Sequence, residues 1–289
     1  MRRFVIWLYV LGGLYVLISG AAWFFQERLL FVGAGRNRGV TIHCPPNVTI
    51  EILDTGEVHG RFRIAWGVPA LGQSTVPRSV DCRGVIVFFL GNGQDLVSGV
   101  TIARAWTEYG LHALVVEYPG YGDSEGSPSQ ESILTAAVVA ADAAASRAQR
   151  LELPLYAGGI SLGTFSATYV ASKTTKDARN RGPISVSKLV LFAPPTSIVE
   201  AAALHYWWLP TRLLLRHRFE NVEAAAGIDC PVLVFHGDRD LVVPQSMGKR
   251  VAEALGPHAE FRSVPGYGHW LPFDRDGVLG PQLRDFFAH

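Results

Sequence analysis

The sequence predicts an α/β protein with a mostly parallel central sheet and helices on both faces. Three observations carry this reading. Apolar runs of strand length alternate with helix-length segments from about residue 84 onward, glycine or proline breaks follow the runs, and the reactive side chains gather at those breaks. In such sheets the ligand site lies beyond the carboxyl ends of the strands.

Taken in order, the first thirty residues stand apart. No charge falls between Arg3 and Glu27, and the apolar or small run from Phe4 to Phe25 would span about 33 Å as a helix, enough to cross a bilayer. The run continues through Trp23, Phe24 and Phe25. This favours an uncleaved anchor with an aromatic edge at the interface over the two alternatives, a signal peptide cut near Gly20 and Ala22 or a buried helix. Arg2 and Arg3 on one side face Arg28, Arg36 and Arg38 on the other. The expected arrangement is a single-pass span with a cytoplasmic N-terminus and the remainder exported.

After it, "RLLFVGAGRNRG" reads as a connector, and "NVTIEIL" and "GRFRIAWGV" as paired strands at a sheet edge. A polar, proline-containing loop occupies residues 72–83. Further strands are expected at "GVIVFFLG", "HALVVEYPG", "PLYAGG", "KLVLFAPP", "PVLVFHGDRD" and "AEFRSVPGYGH". Helices are expected at 95–109, 129–148, "LGTFSATYVASK", 245–255 and 275–287, with an irregular aromatic segment at 196–227.

Composition narrows the function. With 289 residues and 48% hydrophobic content, the chain can bury one large core. A net charge of +1 without a lysine or arginine tract lacks the electrostatic footprint of a nucleic-acid binder. Cys44, Cys82 and Cys230 match no zinc spacing, and an odd number excludes a fully paired set. Three buried thiols is the simpler reading, a Cys44–Cys82 pair the alternative. Nothing in the sequence fixes an oligomeric state.

The stretch "LYAGGISLGTFSA" sets Ser161 between Gly159 and Gly163, after a strand-like run and before a helix-like one. A tight strand-to-helix turn lifts one side chain clear of a sheet, and the helix N-terminus then sits under any developing negative charge. Just past the other expected strand ends fall Gly91-Asn92-Gly93, Pro119-Gly120-Tyr121-Gly122, Pro194-Pro195, Asp238 and Asp240, and His269. A nucleophile, carboxylates, an imidazole and glycine-rich loops thus share one edge, in the order Ser, acid, His. Among the histidines, His236 sits inside the apolar run "VLVFHG", where a packed role is expected. His269 follows the last strand in a Gly-Tyr-Gly loop, free to reach Ser161, and is the candidate base.

The segments "FFLGNGQD", "EYPGYGDSEGSPS", "GGISLG", "LFAPPTS", "LPTRLLLRHRFEN", "IDCPVLVFHGDRDLVVP" and "VPGYGHW" run in order from about residue 84 to the C-terminus. On these, the chain resembles the serine α/β-hydrolases, and within them the membrane-anchored abhydrolase group related to protein depalmitoylases and monoacylglycerol lipases. The resemblance implies an α/β-hydrolase fold with a small cap around 196–227, a membrane anchor over 1–28 and a catalytic domain over 29–289. It implies Ser161 as nucleophile, His269 as base and, from His-Gly-x-x-Asp-x-x-Val-Pro, Asp240 as the acid, with Asp238 bracing the loop. Asp123 is a weaker third carboxylate.

The oxyanion hole expected for such a site takes one backbone N–H from Leu162 and another from the loop after "VFFL", by resemblance Asn92. Relatives usually begin that loop His-Gly, whereas this chain has Leu90-Gly91, so a side-chain brace is missing. Tyr206, Trp207, Trp208 and Leu209 are candidates for an acyl-pocket wall, with core or membrane-facing packing as the alternative. The expected function is hydrolysis of a carboxylic ester or thioester of a small-molecule or lipid acyl substrate, through an acyl-enzyme. No metal or organic cofactor is implied. The alternatives are a peptidase or amidase with the same triad, and an idle scaffold acting as a binding protein.

Overall fold

The computed structural model describes residues 2–56, 59–69, 82–172, 184–273 and 275–288. Helix α1 (Arg2–Phe24) has none of its residues buried and is a candidate membrane span by length and composition. A short α2 (Gln26–Leu30) follows at once, and its Gln26, like Phe31 beyond it, is buried against the domain. Strands β1 (Val48–Asp54) and β2 (Arg61–Gly67) form the expected antiparallel edge pair.

The parallel part begins with β3 (Gly84–Phe89), α3 (Leu96–Thr107), β4 (Leu111–Val116), α4 (Gln130–Leu151), β5 (Leu155–Ile160) and α5 (Leu162–Ser172). Strand β6 (Lys188–Phe192) leads into α6 (Ile198–His205), α7 (Thr211–Leu214) and α8 (Asn221–Ala225). The chain closes with β7 (Val232–Gly237), α9 (Gln245–Leu255), β8 (Ala259–Val264) and α10 (Gly280–Phe286).

The eight strands lie in the order β1-β2-β4-β3-β5-β6-β7-β8, with β2 antiparallel to both neighbours and every later pair parallel. Every residue of β3, β4, β5 and β7 is buried, which is why they read as unbroken apolar runs; the edge strands β1 and β8 alternate instead. Alternation along β3 feeds two cores. Val85, Val87 and Phe89 join the alanine face of α4, while Ile86 and Phe88 join Trp106 of α3 and Phe287 after α10. After β3 the chain turns to β4 on one side and later to β5 on the other, so the crevice between β3 and β5 is the topological switch point.

Local chemistry sets the helix starts. Asp95 caps α3 by accepting the Val97 N–H, and Ser129 with Ser132 forms a reciprocal cap on α4. The start of α3 is held further by the fully buried Glu117, which accepts the Leu96 N–H at 2.9 Å, the Ser124 hydroxyl at 2.8 Å and a two-point bond from Arg63. Removing Arg63 would strand a buried carboxylate, a loss of about 3–5 kcal/mol.

Three details differ from the sequence reading. The segment 196–227 is not irregular but holds three short helices. The last helix is confined to Gly280–Phe286, because Gly277 and Gly280 interrupt the turns before it and Pro281 suits only a first turn. Cys44 is exposed and Cys82 and Cys230 are half-buried, so none is the buried thiol expected, and Cys44 is in no disulfide. Most of the expected loop at 72–83, and Lys173 at the end of "LGTFSATYVASK", lie outside the described residues.

Candidate active site

Ser161 occupies the single residue between β5 and α5, with φ +53°. This left-handed conformation is strained for a residue with a Cβ, and here the surroundings hold it: the Ser161 N–H donates to Phe192 O at 2.9 Å, and Ser161 O accepts from Thr164 N at 3.0 Å. Gly159 and Gly163 make the turn sterically feasible. A Cβ on Gly159 would collide with the carbonyl of Gly163, and a Cβ on Gly163 with the carbonyls of Phe89 and Leu90. The same close approach brings the start of α5 against the loop leaving β3. Leu162 N–H, first in α5, has no hydrogen-bond acceptor among the described residues, and neither has Asn92 N–H in that loop.

The loop after β3 is braced without the histidine. Buried Leu90 lends its carbonyl to the Tyr118 hydroxyl at 3.0 Å, and Gly91 N–H donates to Gln94 Oε1 at 2.7 Å. The Asn92 side chain donates to Leu30 O and accepts from the Tyr121 hydroxyl at 2.7 Å.

At the ends of β7 and β8 the acid and base loops interlock. Gly237 makes room for the carbonyls of Tyr267 and Gly268, Arg239 N–H donates to Tyr267 O at 2.9 Å, and Asp238 Oδ1 accepts Gly266 N–H at 2.7 Å. Asp240 is buried. Its Oδ1 accepts the N–H groups of Val242 and Val243, both at 2.8 Å, and its Oδ2 lies 2.8 Å from His269 Nδ1. Burial acts to raise the Asp240 carboxyl, but hydrogen bonds from His236, His269 and Val243 N–H together hold it well below the usual carboxylate range. An ionised Asp240 takes the proton-bearing Nδ1 of His269 and leaves Nε2 as an acceptor. Ser161 Oγ makes no hydrogen bond among the described residues, and the structure brings Asp240 and His269 into direct contact. Asp123 is engaged elsewhere, with Arg63 and Gly39 N–H.

His236 is packed and hydrogen-bonded, as its place in an apolar run led one to expect, and its contact with Asp240 is what sequence reasoning did not foresee. It is fully buried, with Nε2 at 2.8 Å from Val243 O and 3.3 Å from Asp240 Oδ2, and it packs on Gly248. Its position four residues before Asp240 was the available signal. Among the described residues there is no group of three His, Cys, Asp or Glu side chains able to hold a metal ion.

The segment α6 to α8 is tied to the domain by the fully buried Asn221. Its amide donates to Thr164 Oγ1 at 2.9 Å and Pro195 O at 2.8 Å. Tyr206 and Leu209 line an apolar cavity of about 60 Å³ together with Ala22 of α1 and Leu29 and Leu30 of α2. Trp207 and Trp208 do not line it. Trp207 is 82% exposed, and Trp208 is exposed with its carbonyl accepting the Tyr15 hydroxyl of α1 at 3.1 Å.

No family model matches the chain. An uncharacterized protein of Mycobacterium tuberculosis is 30% identical over 270 residues, covering 92% of this chain and 88% of that one. Lysophosphatidylserine lipase ABHD12 of Danio rerio is 30% identical over 207 residues, 65% of this chain and 51% of the lipase, so the match spans about half of that protein. Among solved structures, an esterase from Thermogutta terrifontis superposes with a TM-score of 0.60 at 21% identity, over 86% of this chain and 94% of the esterase. The chain belongs to one family with the Mycobacterium tuberculosis protein, has the α/β-hydrolase fold that the esterase shares, and is similar to the lipase over about half of that protein.

Proposed function

We propose that the enzyme cleaves a carboxylic ester or thioester of a lipid or acylated substrate through an acyl-enzyme on Ser161. The observation that carries this is the pairing of two features at the carboxyl ends of one sheet: a serine at φ +53° on a glycine-flanked turn after β5, and a buried Asp240–His269 pair 2.8 Å apart after β7 and β8. In this reading His269 Nε2 takes the Ser161 proton as Oγ attacks the acyl carbon, then gives it to the leaving oxygen or sulfur. Asp240 fixes the tautomer and stabilises the imidazolium. The N–H groups of Leu162 and Asn92 receive the oxyanion, with α5 adding its positive end. Water activated by His269 releases the acid.

A lipid substrate is supported by the name of the Danio rerio relative. In the same proposal residues 1–28 anchor the chain, 29–289 form the catalytic domain with a cap at 196–227, and the domain lies on the exported side. Protease treatment of spheroplasts expressing the tagged chain tests that orientation: a shielded domain would put it in the cytoplasm. The chemistry is tested by fluorophosphonate labelling of the full chain in detergent, followed by an acyl-ester chain-length series. Ser161→Ala is expected to lose labelling and turnover together. Unchanged hydrolysis in that variant would remove Ser161 from the mechanism.

A further inference from the structure

The segment joining α1 to β1 does more than connect. Leu30 O accepts from the Asn92 amide, and one step on, Gly33 is so close to the same loop that a Cβ would collide with Asn92 O and with the Tyr121 ring. Ala34 bridges to Tyr121, and Gly35 N–H donates to Gly120 O at 2.8 Å. Asn37 Nδ2 reaches Asp95 Oδ2 at 2.7 Å, the residue that caps α3 at the far end of the loop. Leu30 through Asn37 therefore holds the loop that carries Asn92 at Asn92 itself and at its far end, and ties it to the loop after β4.

The hydrogen bonds leave one orientation for the Asn92 amide. A backbone carbonyl can only accept, so Nδ2 must face Leu30, and Oδ1 is left for the Tyr121 hydroxyl. Burial pushes the Tyr121 hydroxyl up, so it stays a donor at any working pH. The side chain of Asn92 is thus held from two directions while its backbone N–H is unengaged.

We propose that the Leu30–Asn37 segment is the brace of the oxyanion loop, and that Asn92 is a positioning residue whose side chain links that segment to Tyr121 and so aims its own N–H. The proposal rests on the reading of Asn92 N–H as an oxyanion donor. It assigns to the stretch beside the candidate span the bracing that Leu90 cannot supply. Preorganised donors act only where the oxyanion forms, so a loosened loop lowers turnover without weakening ground-state binding.

The test uses the full chain in detergent micelles, p-nitrophenyl butyrate as substrate and a fluorophosphonate to count active sites. Asn92→Ala removes both side-chain bonds and keeps the N–H. Gly33→Val pushes the segment off the loop from the other side, and Tyr121→Phe removes one donor while keeping the ring. Asn92→Ala and Gly33→Val are each expected to lower kcat per titrated site by about tenfold to a hundredfold, with KM within about twofold. Tyr121→Phe should lose less. The double variant Asn92→Ala with Gly33→Val should lose little more than the worse single one, because both break one contact.

A merely structural role would lower the titrated fraction and leave kcat per site intact; that result, or additive losses, would overturn the brace. If Asn92→Ala yields no folded protein, Tyr121→Phe and Gly33→Val decide on the same readout. Failure of the hydrolase reading itself is distinct: wild-type protein would then not label at Ser161.

Discussion

The two sides of the site are held in place by different means. Asp240 and His269 are fixed within and between their two loops, some thirty residues apart: Val242 and Val243 N–H on one carboxylate oxygen, Asp238 on Gly266, Arg239 on Tyr267. The Asn92 loop is held by Leu30 and Asn37, some sixty residues earlier and next to the candidate span. Asp240 and His269 therefore form a self-contained unit, whereas the Asn92 loop depends on the segment leading out of α1. Perturbing the two sides should give losses of different size and different sensitivity to the N-terminal region.

The largest effect is expected on the self-contained side. Asp240→Asn replaces an acceptor by an amide that can favour the wrong His269 tautomer, and kcat for a p-nitrophenyl ester should fall by about four orders of magnitude. Asp238→Asn touches only the Gly266 turn and should stay within about tenfold. If the two rank the other way, the acid is two residues earlier and the interlocked loops serve Asp238 instead.

A smaller effect concerns acid stability. Asp240 ionises in the folded protein at a pH below its unfolded value of about 3.9, so its contribution is fully present above that value and is lost as pH falls below it toward the folded one. Thermal midpoints measured from pH 6 down to pH 2 should drop more steeply below about pH 4 for the native chain than for Asp240→Asn. Parallel curves would mean that Asp240 has the same affinity for protons folded and unfolded, contrary to its three hydrogen-bonded partners.

The difference between the two sides also explains what could be read from the sequence. Ser161 stood out because Gly159 and Gly163 advertise a turn that tolerates no Cβ, and the strand ends around it were legible from unbroken apolar runs such as "GVIVFF". The Asp240 loop follows the buried β7 directly, with Asp240 singled out over Asp238 by the resemblance, and His269 follows the alternating edge strand β8 in a Gly-Tyr-Gly loop. The brace on Asn92 was not, because it runs through a backbone carbonyl, Leu30 O, which carries no side-chain signature. The contact of His236 with Asp240 was hidden by apolar neighbours, although it is local. The short helices at 196–227 escaped notice since elements of four to eight residues carry too few turns for a periodic pattern.

The smallest effects are expected where the α6 to α8 segment meets α1 and α2, and they would sharpen the comparison by asking whether the N-terminal region acts on substrate choice as well as on the loop. Tyr206 and Leu209 face the apolar cavity with Leu29 and Leu30, while Trp207 points outward, 82% exposed. Leu209→Trp should fill a cavity of about 60 Å³ and shift the preference toward shorter acyl esters by a few-fold in kcat/KM. Trp207→Ala removes almost no buried area, so stability should change by less than about 0.5 kcal/mol and the chain-length preference should hold. Both variants would be compared on a C2 to C12 series of p-nitrophenyl esters in the same micelles. A shift with Trp207→Ala but not with Leu209→Trp would move acyl recognition from the cavity beside α1 to the outer face of the cap, and would leave the N-terminal region coupled to the site through the Asn92 loop alone.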